Sequence, residues 1–163
     1  MKYLITHGGH VNFGGNPPLT EEGKKEIRKI VVPTDVTTII VGTGFRHFET
    51  RWEIDLSHLT AKHVETLFSP LVGSAEVFEA PGKVRLAKGH TCDVGRYIGP
   101  YDSRWFAPWK FVEAQVDGTL FIGGFEFLRA LDSRVELAHA TLYQLNCDAK
   151  TASQLSPALA TSL

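Results

Sequence analysis

Apolar and polar positions along the chain form blocks that predict buried strands, each followed by a helical segment. The clearest apolar runs are residues 3–6, residues 36–42 ("VTTIIVG") and residues 118–124 ("GTLFIGG"). Runs of this length that are rich in apolar and β-branched side chains are typical of strands buried on both faces. Charged or amphipathic segments follow each run, which is the pattern of an α/β fold.

Local signals predict where several of the other elements begin and end. Thr20 is a candidate N-cap, because Glu21 and Glu22 follow it and suit the positive end of a helix, and Pro33 ends that helix. Four more helices are predicted, over residues 46–59, 60–67, 102–116 and 125–131, and Pro108 breaks or restarts the third of them. An edge strand is predicted over residues 75–80 and a last strand over 139–146. Residues 81–102 are predicted to form an irregular loop, and a loosely ordered tail begins at about residue 148.

The order of these elements predicts one α/β domain over residues 1–163, a three-layer sandwich with a mostly parallel central sheet. In such folds ligands bind at the carboxyl ends of the strands. The loops after Ile5, Val41 and Ile122 follow predicted parallel strands, and all three contain glycine. We therefore expect these three loops to converge on one site.

Composition narrows the class of protein without naming a function. The chain has 163 residues and a formal net charge of −1, with 43% hydrophobic and 21% charged residues. Its basic residues are scattered, which argues against a nucleic-acid or membrane partner. Cys92 and Cys147 lie outside any CxxC pair and are interpreted as free thiols, with a single disulfide as the alternative. A cytoplasmic location is expected, because no long apolar stretch begins the chain.

Four segments in order resemble the histidine phosphatase superfamily, also called the phosphoglycerate mutase-like family. The first runs from "LITHGG", which contains His7, to "PLTEEG", which opens the helix at Thr20. The second, "IIVGTGFRHFET", carries Arg46 and Thr50 at the arginine and threonine of the family's second motif. The third is "GTLFIGGFEFLRALDS", which resembles the family's late block and its following helix, and the fourth, "HATLYQL", resembles the closing strand. The resemblance implies a phosphoglycerate mutase-like fold.

The resemblance also implies roles for particular residues. His7 would be the nucleophile that carries a phosphoryl group, because neutral imidazole is a competent nucleophile near neutral pH. Arg46 would bind the phosphoryl oxygens, and Thr6 and Gly8 would lie beside them. The chain departs from the family's pattern where Thr6 replaces an arginine and Gly124 replaces a second histidine. We therefore expect a site that has lost part of its charge.

Five further residues are accessory candidates: His10, Thr50, Arg51, Glu79 and Gly124. Glu79 is the candidate proton donor for the leaving group. His10 is either an exposed loop residue or part of the pocket, and His47 is expected to be a surface neighbour of Arg46. A metal site built from His7 and His10, with His90, Cys92 or Asp93 as a third ligand, is the less favoured alternative.

Three hypotheses for function follow. The favoured one is a histidine-phosphatase-like protein that binds a phosphorylated small molecule or inorganic anion, with weak or no phosphatase activity and no metal or cofactor. The second is an active phosphomonoesterase that uses His7 with a rearranged set of phosphate ligands. The third is a non-catalytic interaction protein that uses only the surface of the fold.

Overall fold

The computed structural model describes residues 1–10, 17–42, 44–69, 71, 83–85, 91–93, 98 and 107–155. Strands and helices alternate along most of this part of the chain, as the sequence predicts. The elements are β1 (Lys2–Thr6), α1 (Glu21–Arg28), β2 (Thr38–Val41), α2 (Phe45–Glu53), β3 (Glu65–Phe68), β4 (Lys83–Arg85), β5 (Thr91–Asp93), α3 (Pro108–Glu113), β6 (Thr119–Gly123), α4 (Phe125–Leu131), β7 (Leu142–Asn146) and β8 (Thr151–Gln154).

A six-stranded sheet in the order β3-β2-β6-β1-β7-β8 forms the centre of the fold. The first four strands of that order are parallel, and β7 and β8 join as antiparallel strands at one edge. Ile122 of β6 lies opposite both Ile5 of β1 and Val41 of β2. The three strands therefore end together, and the predicted convergence of their loops is confirmed.

Alternate side chains of the central strands enter two separate cores, one on each face of the sheet. One core contains Tyr3, Ile5 and Val41 and packs against α1 and α2 through Ile27 and Phe48. The other core contains side chains of the opposite face and of α3 and α4: Leu4, Ile40, Phe121, Val112, Phe127, Leu128 and Leu131. Helices thus cover both faces, which is the predicted three-layer α/β sandwich.

The first helix begins where the sequence predicts. The Thr20 hydroxyl accepts a hydrogen bond from the Gly23 amide at 3.0 Å, which is an N-cap interaction. Only Gly23 and Ile27 of α1 are buried, so the charged residues of this helix face solvent. A buried glycine within a helix indicates close packing at that position, and its partner is the loop that follows β1.

Several sequence predictions about secondary structure are wrong. The first helix ends at Arg28, before Pro33. Residues 60–67 do not form a helix; β3 occupies Glu65–Phe68, because this segment pairs with β2 and buries Leu67 and Phe68. The helix predicted over residues 46–59 ends at Glu53. The amide of Ile54 caps it by donating to the Thr50 carbonyl, and the backbone of Ile54 is already extended.

The structure also contains strands that the sequence analysis did not predict. β8 lies in the segment expected to be a loose tail, where Ala152 is buried against β7. β4 and β5 form a two-stranded antiparallel sheet within the predicted irregular loop. The edge strand predicted at residues 75–80 lies outside the described residues. No helix in the described ranges is long and apolar enough to cross a membrane.

Candidate functional site

His7 stands at the shared carboxyl edge of β1 and β6, and the backbone fixes it there from both sides. Its amide donates to the Gly123 carbonyl at 3.1 Å, and its carbonyl accepts from the Ala140 amide at 3.0 Å. The ring is only 4% exposed. Its Nδ1 lies 2.9 Å from the Gly8 carbonyl oxygen, so Nδ1 carries the proton and donates it. The neutral ring therefore has its free lone pair on Nε2.

Glycines after His7 pack against α1. A Cβ on Gly8 would lie 2.8 Å from the carbonyl oxygen of Gly23, and a Cβ on Gly23 would overlap the backbone of Gly9. No side chain fits at either contact. These glycines therefore let α1 approach the loop that follows His7.

The candidate phosphate-binding residue Gly8 uses its amide within the protein. That amide donates to the Thr50 hydroxyl at 3.3 Å, and the hydroxyl donates to the Arg46 carbonyl at 2.8 Å. Thr50 is fully buried. Thr50 and Gly8 thus tie the loop that follows His7 to the first turns of α2, a positioning role that the sequence did not reveal.

Thr6, which replaces the arginine of the family's pattern, is also occupied by the protein. Its hydroxyl donates to the Ala138 carbonyl at 2.6 Å and accepts from the Thr141 amide at 3.1 Å. The side chain is fully buried. The hydroxyl expected to contact phosphate instead fastens the segment between α4 and β7, and that segment carries His139.

Three further histidine rings and one phenylalanine ring surround His7. The distances from the His7 ring centroid are 5.2 Å to His10, 5.3 Å to His47, 5.2 Å to His139 and 5.9 Å to Phe125. Phe125 is nearly parallel to His7, with 26° between the ring planes. The site is therefore rich in imidazole, and the sequence analysis missed His139 and Phe125.

The expectation that His47 is a surface residue is wrong. His47 is 6% exposed and occupies the third position of α2, where its Nδ1 accepts the Gly44 amide proton at 3.0 Å. This contact is half of a capping box, with imidazole in the place that Glu or Gln usually takes. Since Nδ1 accepts, the proton of the neutral ring is on Nε2. Within the described ranges, this buried Nε2 has no hydrogen-bond partner.

Gly124 lies between His7 and His47. A Cβ at this position would be 3.5 Å from Nε2 of His47 and 3.7 Å from Nε2 of His7, which are ordinary contact distances. The φ angle of Gly124 is −105°, a value that any residue adopts. The two Nε2 atoms thus border the same small region, where the family's pattern would place a second histidine.

Burial and nearby positive charge favour the neutral forms of His7 and His47. Burial of the ring is the main cause that lowers the pKa of His7 from 6.5 to about 3; the Arg46 charge lowers it further, while the hydrogen bond to Gly8 acts in the opposite direction. Burial, aided by His7 and Arg46, also holds the pKa of His47 well below its usual value. At neutral pH the site therefore combines the uncharged rings of His7 and His47 with the positive charge of Arg46.

The remaining candidates lie elsewhere or outside the described residues. The Arg51 guanidinium donates to the Thr66 hydroxyl of β3 from Nε and Nη2, at 3.2 and 3.1 Å. It therefore braces α2 against the sheet. Glu79 and the His90 of the metal alternative are not among the described residues. In the described part of the chain, no group of three or more His, Cys, Asp or Glu side chains could hold a metal ion.

Comparison with solved structures identifies the fold. The chain matches the "Crystal structure of the putative phosphohistidine phosphatase SixA from Agrobacterium tumefaciens" with a TM-score of 0.50 and 13% identity, over 95% of each chain. A second match, "Structure of the protein histidine phosphatase SixA complexed with tungstate", has a TM-score of 0.47 and 14% identity, over 96% of this chain and 97% of the other. The fold is thus histidine-phosphatase-like and phosphoglycerate mutase-like, as the sequence predicts. No protein-family model and no curated protein matches the sequence.

Proposed function

We propose that this protein binds a phosphate-bearing ligand between His7 and Arg46 and hydrolyses phosphomonoesters slowly or not at all. The observation that carries the proposal is the geometry of His7. Its Nδ1–H donates to the Gly8 carbonyl, and the lone pair on its Nε2 borders the region beside Gly124. The positive charge of Arg46 is near enough to lower the pKa of the ring. An anion in that region would meet a positive charge and a neutral nucleophile.

The same geometry explains why turnover would be weak. A phosphoryl group in transfer carries charge on three oxygens, and a fold of this kind would stabilise it with several charged groups. Here the side chain of Thr6 is committed to Ala138 and Thr141, and Gly124 has no side chain to offer. Loss of one aimed donor costs about 3 kcal/mol of transition-state stabilisation. Without charged groups at positions 6 and 124, binding would remain while most of the rate would be lost.

Titration with inorganic phosphate tests the binding. Wild-type protein should bind phosphate in calorimetry near pH 7.5, and Arg46→Ala should weaken binding by about 1.5–3 kcal/mol, the value of a hydrogen bond to a charged group. Arg129→Ala, at an exposed position in the last turn of α4, is the matched control and should bind like wild type. Equal affinity in wild type and Arg46→Ala would place the anion elsewhere.

A second function is an active phosphomonoesterase, and the gathering of His10, His47 and His139 around His7 favours it. Imidazoles could replace part of the missing positive or donor groups. A p-nitrophenyl phosphate assay decides between the two: robust turnover that His7→Ala abolishes would establish the enzyme. If the protein showed neither turnover nor phosphate binding, the hypothesis of a non-catalytic interaction protein would be favoured.

A further inference from the structure

We propose that His47 is a ligand of the bound anion, with Nε2–H as the donor to one of its oxygens, in place of the side chain that Gly124 lacks. This inference rests on the proposed function, because it assigns a residue to the same anion site. It takes as ligand a tetrahedral oxyanion, such as a phosphate group, whose oxygens accept hydrogen bonds.

The ring of His47 is neutral and carries its proton on Nε2. Nδ1 of His47 accepts from the Gly44 amide at 3.0 Å, so the neutral ring must carry its proton on Nε2. Burial lowers the pKa of this ring, so the neutral form is the one present at neutral pH. The capping contact thus leaves His47 with one donor, Nε2–H, which lies 3.5 Å from the Cβ position of Gly124.

The surroundings of that donor also favour a bound ligand. Nε2 of His47 is buried, and no described residue accepts its proton. A buried polar atom without a partner costs about 1–3 kcal/mol, so such atoms in folded proteins generally face a ligand, an ion or water. A ligand oxygen would satisfy this atom.

Nε2 of His47 also lies close to the Nε2 of His7, with Gly124 between them. Nε2 of His47 and Nε2 of His7 lie 3.5 and 3.7 Å from one point, the position of a Cβ on Gly124. An anion whose central atom faces Nε2 of His7 would therefore have an oxygen within reach of His47. Because Gly124 has no side chain, the imidazole arrives here from the first turn of α2, next in sequence to Arg46.

A structural role alone is the competing explanation, because His47 also caps α2. Two substitutions separate the explanations. His47→Asn keeps an oxygen near the position of Nδ1, able to accept from Gly44, and removes the Nε2 donor. His47→Gln places an amide nitrogen near the position of Nε2 and removes the acceptor for Gly44. The first variant keeps the cap and the second keeps the ligand contact.

Calorimetric titration with inorganic phosphate should rank these variants. We expect His47→Asn to bind phosphate roughly ten- to a hundredfold more weakly than wild type, the effect of losing a hydrogen bond to a charged group. His47→Gln should remain within about threefold of wild type, even if its melting temperature falls. The reverse order, with wild-type affinity in His47→Asn and loss in His47→Gln, would overturn the assignment.

Nitrogen-15 NMR of the wild-type histidine side chains keeps the test independent of how the variants fold. Saturating phosphate should shift the Nε2 and Hε2 signals of His47, and unchanged signals in phosphate-saturated protein would overturn the proposal. The two proposals fail differently. If wild type does not bind phosphate, the proposed function fails. If wild type binds, Arg46→Ala weakens binding and His47→Asn does not, only the role of His47 fails.

Discussion

The backbones of Gly8 and Gly23 lie in direct contact, with the Gly23 carbonyl oxygen 2.8 Å from the point where a Cβ on Gly8 would stand. This contact joins the loop after the candidate nucleophile to the first helix of the chain. The packing of α1 therefore helps to fix the loop that contains Gly8. The carbonyl of Gly8 in turn orients the ring of His7.

Gly23→Ala tests this contact. Alanine inside a helix usually stabilises it by about 1 kcal/mol relative to glycine. Here the added methyl group would overlap the Gly9 backbone, so we expect a loss of about 2–3 kcal/mol in the free energy of unfolding. Gly9→Ala is the control, because its nearest neighbour would be the Thr20 hydroxyl at 3.8 Å. Urea denaturation measures both, and a stabilised Gly23→Ala variant would contradict the packing.

Thr50→Val removes a hydroxyl that joins two parts of the site. Valine has nearly the same shape, but the Gly8 amide would lose its acceptor in a buried environment. We expect a loss of about 1–3 kcal/mol in the free energy of unfolding, the cost of an unsatisfied buried group. Thr50→Ser keeps the hydroxyl and should lose less. Equal stability of the valine variant and wild type would show that the hydroxyl does not hold the loop.

Stability should depend on pH through His7. The unfolded chain binds a proton here near pH 6.5, whereas the folded protein binds it only near pH 3. Between these values the unfolded state holds more protons, so the free energy of unfolding should fall as the pH drops from about 6.5 to 3. His7→Gln should flatten this dependence in urea titrations at several pH values. His63→Gln, an exposed histidine before β3, should leave it unchanged; equal slopes in wild type and His7→Gln would refute the prediction.

A histidine at position 124 should compensate for a missing donor at position 47. The backbone of Gly124 has ordinary angles, and its Cβ position faces both Nε2 atoms. We therefore expect Gly124→His to recover at least about tenfold of the phosphate affinity that His47→Asn loses, a gain equivalent to about 1.4 kcal/mol. Calorimetry of the double variant checks this. Gly124→Ala in the same background is the control, and equal affinity in the two double variants would contradict the expectation.

The parts of the fold that local sequence determines were predictable. The Thr20 cap, the helix after it and the three apolar strands each depend on neighbouring residues, and all of them occur in the structure. β3 and β8 were missed because they are short, and their identity as strands depends on pairing with β2 and β7. No local pattern distinguishes such segments from a helix turn or a loose tail.

In the candidate site too, features set by neighbouring residues were predictable and features set by distant contacts were not. His7 stood out because a strand and a glycine-rich loop flank it, and its roles in binding and catalysis remain predictions. His139 reaches the site only because Thr6, more than 130 residues earlier, binds the backbone on either side of it. His47 lies in a sequence typical of an ordinary helix start, and its burial depends on the packing of α2 against the ends of β2 and β6, where Gly42 and Gly124 lie beside its ring. Distant contacts of this kind leave no local signature.

The hydrogen bonds of the Thr6 hydroxyl limit which side chains the site can contain together. Replacing Thr6 by arginine would remove the hydroxyl that binds the Ala138 carbonyl and the Thr141 amide. The segment that carries His139 would then lose these two contacts. A charged side chain at position 6 and the imidazole of His139 in the site are thus alternatives. A single substitution at position 6 would add a charge and lose the present position of His139. Efforts to raise activity should begin at Gly124, where an added Cβ would meet only ordinary contacts.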